Sequence, residues 1–118
     1  GVNEKMAEFI NPIAILGEQM TKFTTEIGFK GLQNPDEVGA AAVDYLRVAG
    51  HLVFGYLFAR MAQVSLRAIA NGSTDPFYTA KLQTARFYFA KLFPETVLLM
   101  RTARAGSKVL MDTDAALA

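Results

Sequence analysis

The sequence predicts an all-α fold: an up-down bundle of three long helices, or four if a short N-terminal lead-in folds back. Three observations carry this reading. Near the N-terminus the apolar residues Phe9, Ile13, Leu16, Met20, Phe23 and Ile27 recur at intervals of 4, 3, 4, 3 and 4, a heptad stripe along one side of a helix. Asn34-Pro35, Asn71-Gly72 and Asp75-Pro76 are helix-boundary signals that divide the chain into segments. Val, Ile and Thr form no alternating runs of the kind that mark strands, and Ala is frequent.

The first segment spans about Asn3 to Leu32. Its far side carries Glu18, Gln19, Lys22 and Glu26, as a surface helix requires. Asn11-Pro12 interrupts it. The expected arrangement is a short lead-in followed by a main helix from Pro12, with Asn11 as N-cap; the alternative is one helix kinked at Pro12. Gly31 to Asn34 stops this helix, and Asn34-Pro35-Asp36-Glu37 starts the next. Asn34 can accept a bond from a first-turn amide, Pro35 has no amide to leave unsatisfied, and Glu37 can complete a capping box.

The second helix should run from Pro35 to about Ala70, roughly 50 Å at 1.5 Å per residue. Gly50 and Gly55 lie inside it, each at a cost of about 1 kcal/mol relative to Ala. Close approach of a neighbouring helix is their expected use. The third helix should run from Pro76, capped by Asp75, to about Gly106. Pro94 within it removes the bond to the Ala90 carbonyl and predicts a kink near Leu92 to Glu95. Ser107 to Ala118 is expected to be a frayed last turn or disordered.

Residues 1–118 therefore read as one helical domain. There are no cysteines and one histidine, His51, so disulfides, thiolate chemistry and a histidine-built metal site are excluded. Twelve basic against 11 acidic residues leave a net charge of +1, which is no footprint for nucleic acid. Hydrophobic residues make up 52% and mean hydropathy is +0.21, high for a free-standing domain. The central uncharged stretch, Val48 to Ala59, has 12 residues and falls short of the roughly 20 that span a membrane. The chain opens on Gly1-Val2-Asn3-Glu4-Lys5, without a signal-peptide pattern or an initiator methionine, and a piece cut from a longer protein is the expectation.

The second helix is the informative anomaly. Between Val48 and Leu66 its only Lys, Arg, Asp or Glu is Arg60, while Leu52, Val53, Phe54, Tyr56, Leu57, Phe58, Met61 and Val64 point in all directions. A helix apolar all round must be covered all round. Two neighbours from this chain cover half to two-thirds of it, so the rest needs a partner subunit or a neighbouring domain. The third helix is also rich in aromatics: Phe77, Tyr78, Phe87, Tyr88, Phe89 and Phe93. Tyr45, Phe54, Phe58 and Phe87 are the expected interface residues.

Few polar groups invite chemistry. Arg47 and His51, four apart on one face, can meet an anionic group or another domain; the plainer account pairs Arg47 with Asp44 and leaves His51 half-buried. Arg60 and Arg67, seven apart, should face carboxylates. Asp75, Lys81 and Arg86 should form a solvated edge. No Ser-His-Asp triad, nucleophile elbow or phosphate-cradling glycine loop can be built. Glu8, Glu18, Glu26 and Glu95 are undistinguished lone carboxylates, and the methionines read as packing. No catalytic, cofactor-binding or metal-ligating residue is expected in this chain.

Five pieces in order resemble a known family: Tyr45-Leu46-Arg47, Ala59-Arg60-Met61-Ala62, Phe77-Tyr78 with Ala80-Lys81-Leu82, Ala85-Arg86-Phe87-Tyr88, and Leu92-Phe93-Pro94-Glu95. Their ordered combination is similar to the C-terminal helical domain of a large subgroup of bacterial acyl-CoA dehydrogenases. The core of the likeness runs from Tyr45 to Thr96, and the flanking segments also fit. The resemblance implies a cytoplasmic parent enzyme that uses FAD to introduce an α,β double bond into an acyl-CoA, with a carboxylate base removing the α-proton and flavin N5 taking the β-hydride. It implies that base, flavin and most of the acyl-CoA pocket belong to preceding domains. This domain is then a cap on that body or on a neighbouring subunit of a homo-oligomer. A free-standing helical module that binds an acyl chain or another apolar partner is the alternative.

Overall fold

The structure, a computed structural model, describes residues 1–105; the segment from Gly106 to Ala118, and with it the expected tail, lies outside the described residues. The described residues form helices α1 (Val2–Lys5), α2 (Ala7–Gln33), α3 (Pro35–Ala70) and α4 (Pro76–Phe87), then a π-helical segment (Tyr88–Leu92) and a last helix, α5, at residues 95–105. No strand occurs among them. The long helices run up, down and up, as short connections require. The principal extents are 66 × 27 × 15 Å. A thickness of 15 Å holds no more than two helices across, so α3, packed by α2 and by α4–α5, keeps one side open.

Two boundaries differ from the sequence expectation. The main first helix begins at Ala7 rather than Pro12, and Pro12 lies inside α2. Burial is the reason. Met6 and Phe9 are 4% and 1% exposed, packed with Ala59, Ala62 and Leu66 of α3 and Leu82 and Ala85 of α4. That contact outweighs the bond from residue 12 to the Glu8 carbonyl that proline cannot make. Met6 keeps right-handed helical angles, so α1 runs into α2 through one turn residue.

The irregularity at Pro94 begins earlier than expected. The backbone widens at Tyr88–Leu92, where the Phe93 amide donates to the Tyr88 carbonyl, 2.8 Å away and five residues back. After Pro94 the ladder restarts with three-residue bonds, Thr96 N to Phe93 O and Val97 N to Pro94 O. A π turn adds one residue to the helical repeat and rotates the helix beyond it. It brings Tyr88 and Phe93 inward, both nearly fully buried.

The starts of α3 and α4 behave as read. Asn34 Oδ1 accepts from Asp36 N at 3.1 Å, and Asp75 Oδ1 accepts from Phe77 N at 3.0 Å. The Glu37 side chain, expected to complete the first cap, lies outside the described side chains. Gly72 takes φ +96°, the left-handed geometry that ends α3.

The core follows one stripe of α3: Ala41, Tyr45, Val48, Leu52, Gly55, Ala59, Ala62 and Leu66, at intervals of 4 and 3. At one end it packs with Leu16, Met20 and Phe23 of α2 and Met100 and Ala103 of α5. At the other it meets Met6, Phe9, Leu82 and Ala85. Phe58 and Phe89 touch both clusters and join them.

Candidate functional site

Opposite its core stripe, α3 carries a second one. Val43, Leu46, Gly50, Val53, Leu57, Met61, Val64 and Ala68 follow one another at intervals of 3 or 4, again a heptad-like register. Met61 is half-buried against the Met6, Phe9 and Leu82 cluster, but Val43, Leu46, Val53, Leu57 and Val64 are left largely uncovered among the described residues. Val43 and Leu46 are 76% and 74% exposed, and Val53, Leu57 and Val64 are more than half exposed. A stripe from Val43 to Val64 is roughly 30 Å long. Monomeric proteins rarely leave so much contiguous apolar surface in water. Over Val38–Ala70, α3 also reaches the length and apolarity of a membrane span, a test that the core helix of a soluble protein also passes. This corrects the shorter length read from the uncharged stretch alone. Asp44, Arg47, Arg60 and Arg67 all fall within that range.

Gly50 and Gly55 of α3 separate along these faces. A Cβ on Gly55 would stand 3.1 Å from the Phe93 ring and 3.3 Å from Ile13, so close approach of neighbouring helices is its use. A Cβ on Gly50 would meet nothing within 4 Å. Gly50 therefore has no packing use inside the described domain.

The expected interface residues are divided. Phe54 and Phe87 are 56% and 59% exposed. Tyr45 and Phe58 are half-buried and engaged within the domain. Tyr45 stacks near Phe23 and its hydroxyl lies 2.9 Å from Thr24 Oγ1, while Phe58 stacks on Tyr88 with ring centroids 4.4 Å apart.

Arg47 and His51 come together, on a carboxylate of their own chain. Arg47 Nε lies 2.7 Å from Glu95 Oε1, and His51 Nε2 lies 3.7 Å from Glu95 Oε2. Arg47 takes Glu95 and not Asp44, because Glu95 starts α5 directly beside it. The Tyr88 hydroxyl completes the cluster, donating to the His51 carbonyl at 3.0 Å and lying 3.0 Å from His51 Nδ1. With its proton on that carbonyl, the hydroxyl accepts from Nδ1–H. Burial first, and the Glu95 carboxylate second, push the Tyr88 hydroxyl up to about 12. The cluster pins the π turn to α3. Each side chain in it has a partner within the domain, so it is read as a structural clasp.

The remaining polar groups sort readily. Glu8 pairs with Arg86 at 2.6 Å and Glu26 with Arg104 at 3.5 Å, tying α2 to α4 and α5. Lys81 lies over the Phe77 ring, and Asp75 is occupied as a cap. Arg60 finds only Gln63 Oε1, at 3.5 Å, and among the described residues neither Arg60 nor Arg67 has a carboxylate within ion-pair distance. The carboxylates they should face are not in the described domain. No group of three His, Cys, Asp or Glu among the described residues is placed to hold a metal.

Two open grooves lie between α2 and α3. One, of about 470 Å³, is lined by Phe23, Ile27, Val38, Ala41, Tyr45 and Leu46 among others. The second, of about 310 Å³, is lined by Met6, Ile10, Ile13, Tyr56 and Arg60 among others. Thr24 and Tyr45, the polar side chains of the larger groove, bond each other.

Comparison with curated proteins finds no significant match. The family model described as acetyl-CoA dehydrogenase C-terminal like matches residues 2–114. With nearly the whole chain inside that match, and with the all-α bundle and ordered motifs already in place, the chain belongs to the acetyl-CoA dehydrogenase C-terminal-like family.

Proposed function

We propose that this chain is a non-catalytic cap and interface domain of an FAD-dependent acyl-CoA dehydrogenase that oxidises acyl-CoA to 2-enoyl-CoA in the cytoplasm. The observation that carries the reading is the uncovered apolar stripe of α3. A helix with two opposed heptad stripes is the centre of a larger assembly, and the described residues supply neighbours for one stripe only. The body of the dehydrogenase, or a neighbouring subunit of a homo-oligomer, supplies the rest.

The described residues do not fit a flavin. A dinucleotide pyrophosphate is held by free amides at a helix start or in a glycine-rich turn. In this chain the starts of α3 and α4 are closed by Asn34 and by the anionic Asp75, and Gly72 alone among described residues takes a positive φ. The flavin and the base are therefore assigned to other domains of the parent, and no chemical step falls to the residues of this one.

The 470 Å³ apolar groove favours a second reading, a free-standing module that binds an acyl chain. An immunoblot of source-cell lysate, with an antibody to this domain, separates the two. A band several times heavier than 12.9 kDa supports the dehydrogenase domain. A band at 12.9 kDa sinks it and moves the acyl-chain module to first place.

A further inference from the structure

We infer that the open stripe of α3 is a docking seam for one amphipathic helix, apolar along its own heptad stripe and flanked on one side by carboxylates that meet Arg60 and Arg67. This rests on the reading above, in which that helix belongs to the body of the parent enzyme.

Three observations define the occupant. The stripe formed by Val43, Leu46, Val53, Leu57 and Val64 repeats at 3 and 4, the register that receives the knobs of another helix and not of a strand. Gly50, in the same stripe, has open space above it, which lets a neighbouring backbone come close. Arg60 and Arg67 lie one heptad apart on one rim of this stripe, both exposed, the spacing at which flanking charges of paired helices meet.

Charge then selects the partner. Residues 45–92 hold six Lys or Arg, of which Arg47 and Arg86 are paired with Glu95 and Glu8; Arg60, Arg67, Lys81 and Lys91 remain, and the single acid of the segment, Asp75, is spent as a helix cap. The seam therefore lies in a positive field, although the whole chain is only +1. A second copy pairing through α3 brings no carboxylate to Arg60 or Arg67, because α3 has none between Tyr45 and Ala70. A bilayer is disfavoured because the core stripe on the other side of α3 is already packed against protein and because four charged residues lie within Val38–Ala70. An acid-flanked helix satisfies both the stripe and the arginines.

The test uses the 118-residue chain and two labelled synthetic helices with leucine at the heptad core positions, one flanked by glutamates and the other by lysines. The glutamate helix should bind and the lysine helix should not. Arg60→Glu with Arg67→Glu should weaken the glutamate helix by about tenfold or more and transfer binding to the lysine helix. Leu57→Asp should abolish both, with helical circular dichroism unchanged as the check on folding. Equal binding of the two helices overturns the proposal. So does a dimer in sedimentation that Leu57→Asp makes monomeric and the glutamate helix fails to dissociate. Binding to phosphatidylglycerol vesicles that Leu57→Asp abolishes, without binding of either helix, overturns it in favour of a membrane. In the native polypeptide, a cross-linker on Val53→Cys should capture an acid-flanked helix. A heavy, flavin-bearing polypeptide whose Val53→Cys captures something else sinks the seam and leaves the domain assignment standing. A 12.9 kDa native product that still shows the charge-swapped binding sinks the assignment and leaves the seam.

Discussion

The two faces of α3 have nearly the same composition and opposite fates. On one, Val48 is fully buried and Gly55 is roofed by Phe93 and Ile13; on the other, Leu57 stands in solvent and Gly50 has nothing above it. Hydrophobicity alone does not decide which apolar residue stabilises a domain. The neighbour that removes it from water does, and among the described residues neighbours exist for one face only. The open face contributes little to the stability of this chain, in keeping with the docking seam proposed for it.

That contrast can be broken by substitution. The largest effect should come from the covered side. Phe23→Ala removes a ring that is fully buried beneath Arg104 and against Tyr45, and should cost about 3–5 kcal/mol in urea unfolding. Next is the clasp. Tyr88→Phe removes the hydroxyl that bridges His51 Nδ1 and the His51 carbonyl, leaves Nδ1 without that partner, and should cost about 1–3 kcal/mol. Tyr88 also provides a pH signature. Its folded value lies above the ordinary 10, so its contribution is complete below pH 10 and is lost as pH rises towards 12. Unfolding curves across that window should show the decline in the native chain, and Tyr88→Phe should flatten it.

The glycine pair sharpens the comparison further, with a predicted difference in sign. Gly50→Ala should stabilise the chain by up to about 1 kcal/mol, because it gains helix propensity and meets nothing. Gly55→Ala should destabilise it despite the same propensity gain, because Phe93 and Ile13 must move. Thermal melts of the two variants side by side would refute the account if both shifted the same way. The smallest effect is expected on the open stripe. Leu57→Asp should change the stability of the chain by less than about 0.5 kcal/mol. A loss comparable to Phe23→Ala would mean that the stripe is covered from within.

Much of the fold was legible in the sequence because helix signals are local. Asn34-Pro35 and Asp75-Pro76 start helices through their own side chains, and the 4, 3 spacing in α2 names its buried side without reference to any partner. Even the excess of apolar surface on α3 could be counted, since it follows from circumference. What escaped was pairing across the chain. Glu95 looked like one lone carboxylate among several. Yet a signal existed: His51 lies 22 residues before Ser73 and Glu95 lies 22 after it, so a helical hairpin closing near Ser73 sets them side by side. The same mirror relates Phe58 to Tyr88, 15 residues to either side.

The starts of α3 and α4, the three-helix plan, the family and the presence of more apolar surface than one small bundle can bury all depend on spacing along one chain, and residue order alone was enough to settle them. Packing in three dimensions was needed to settle which apolar residues are covered, that Pro12 is carried inside a helix, that the backbone widens at Tyr88 before it reaches Pro94, and that Arg47 and His51 close on Glu95. Each of these is a competition between a local preference and a contact made far along the sequence. Burial of Phe9 outweighs one missing hydrogen bond, and packing of Tyr88 and Phe93 outweighs a regular helical repeat. Arg60 and Arg67 are the complementary case: their spacing is local and legible, but no carboxylate among the described residues lies within ion-pair distance of either.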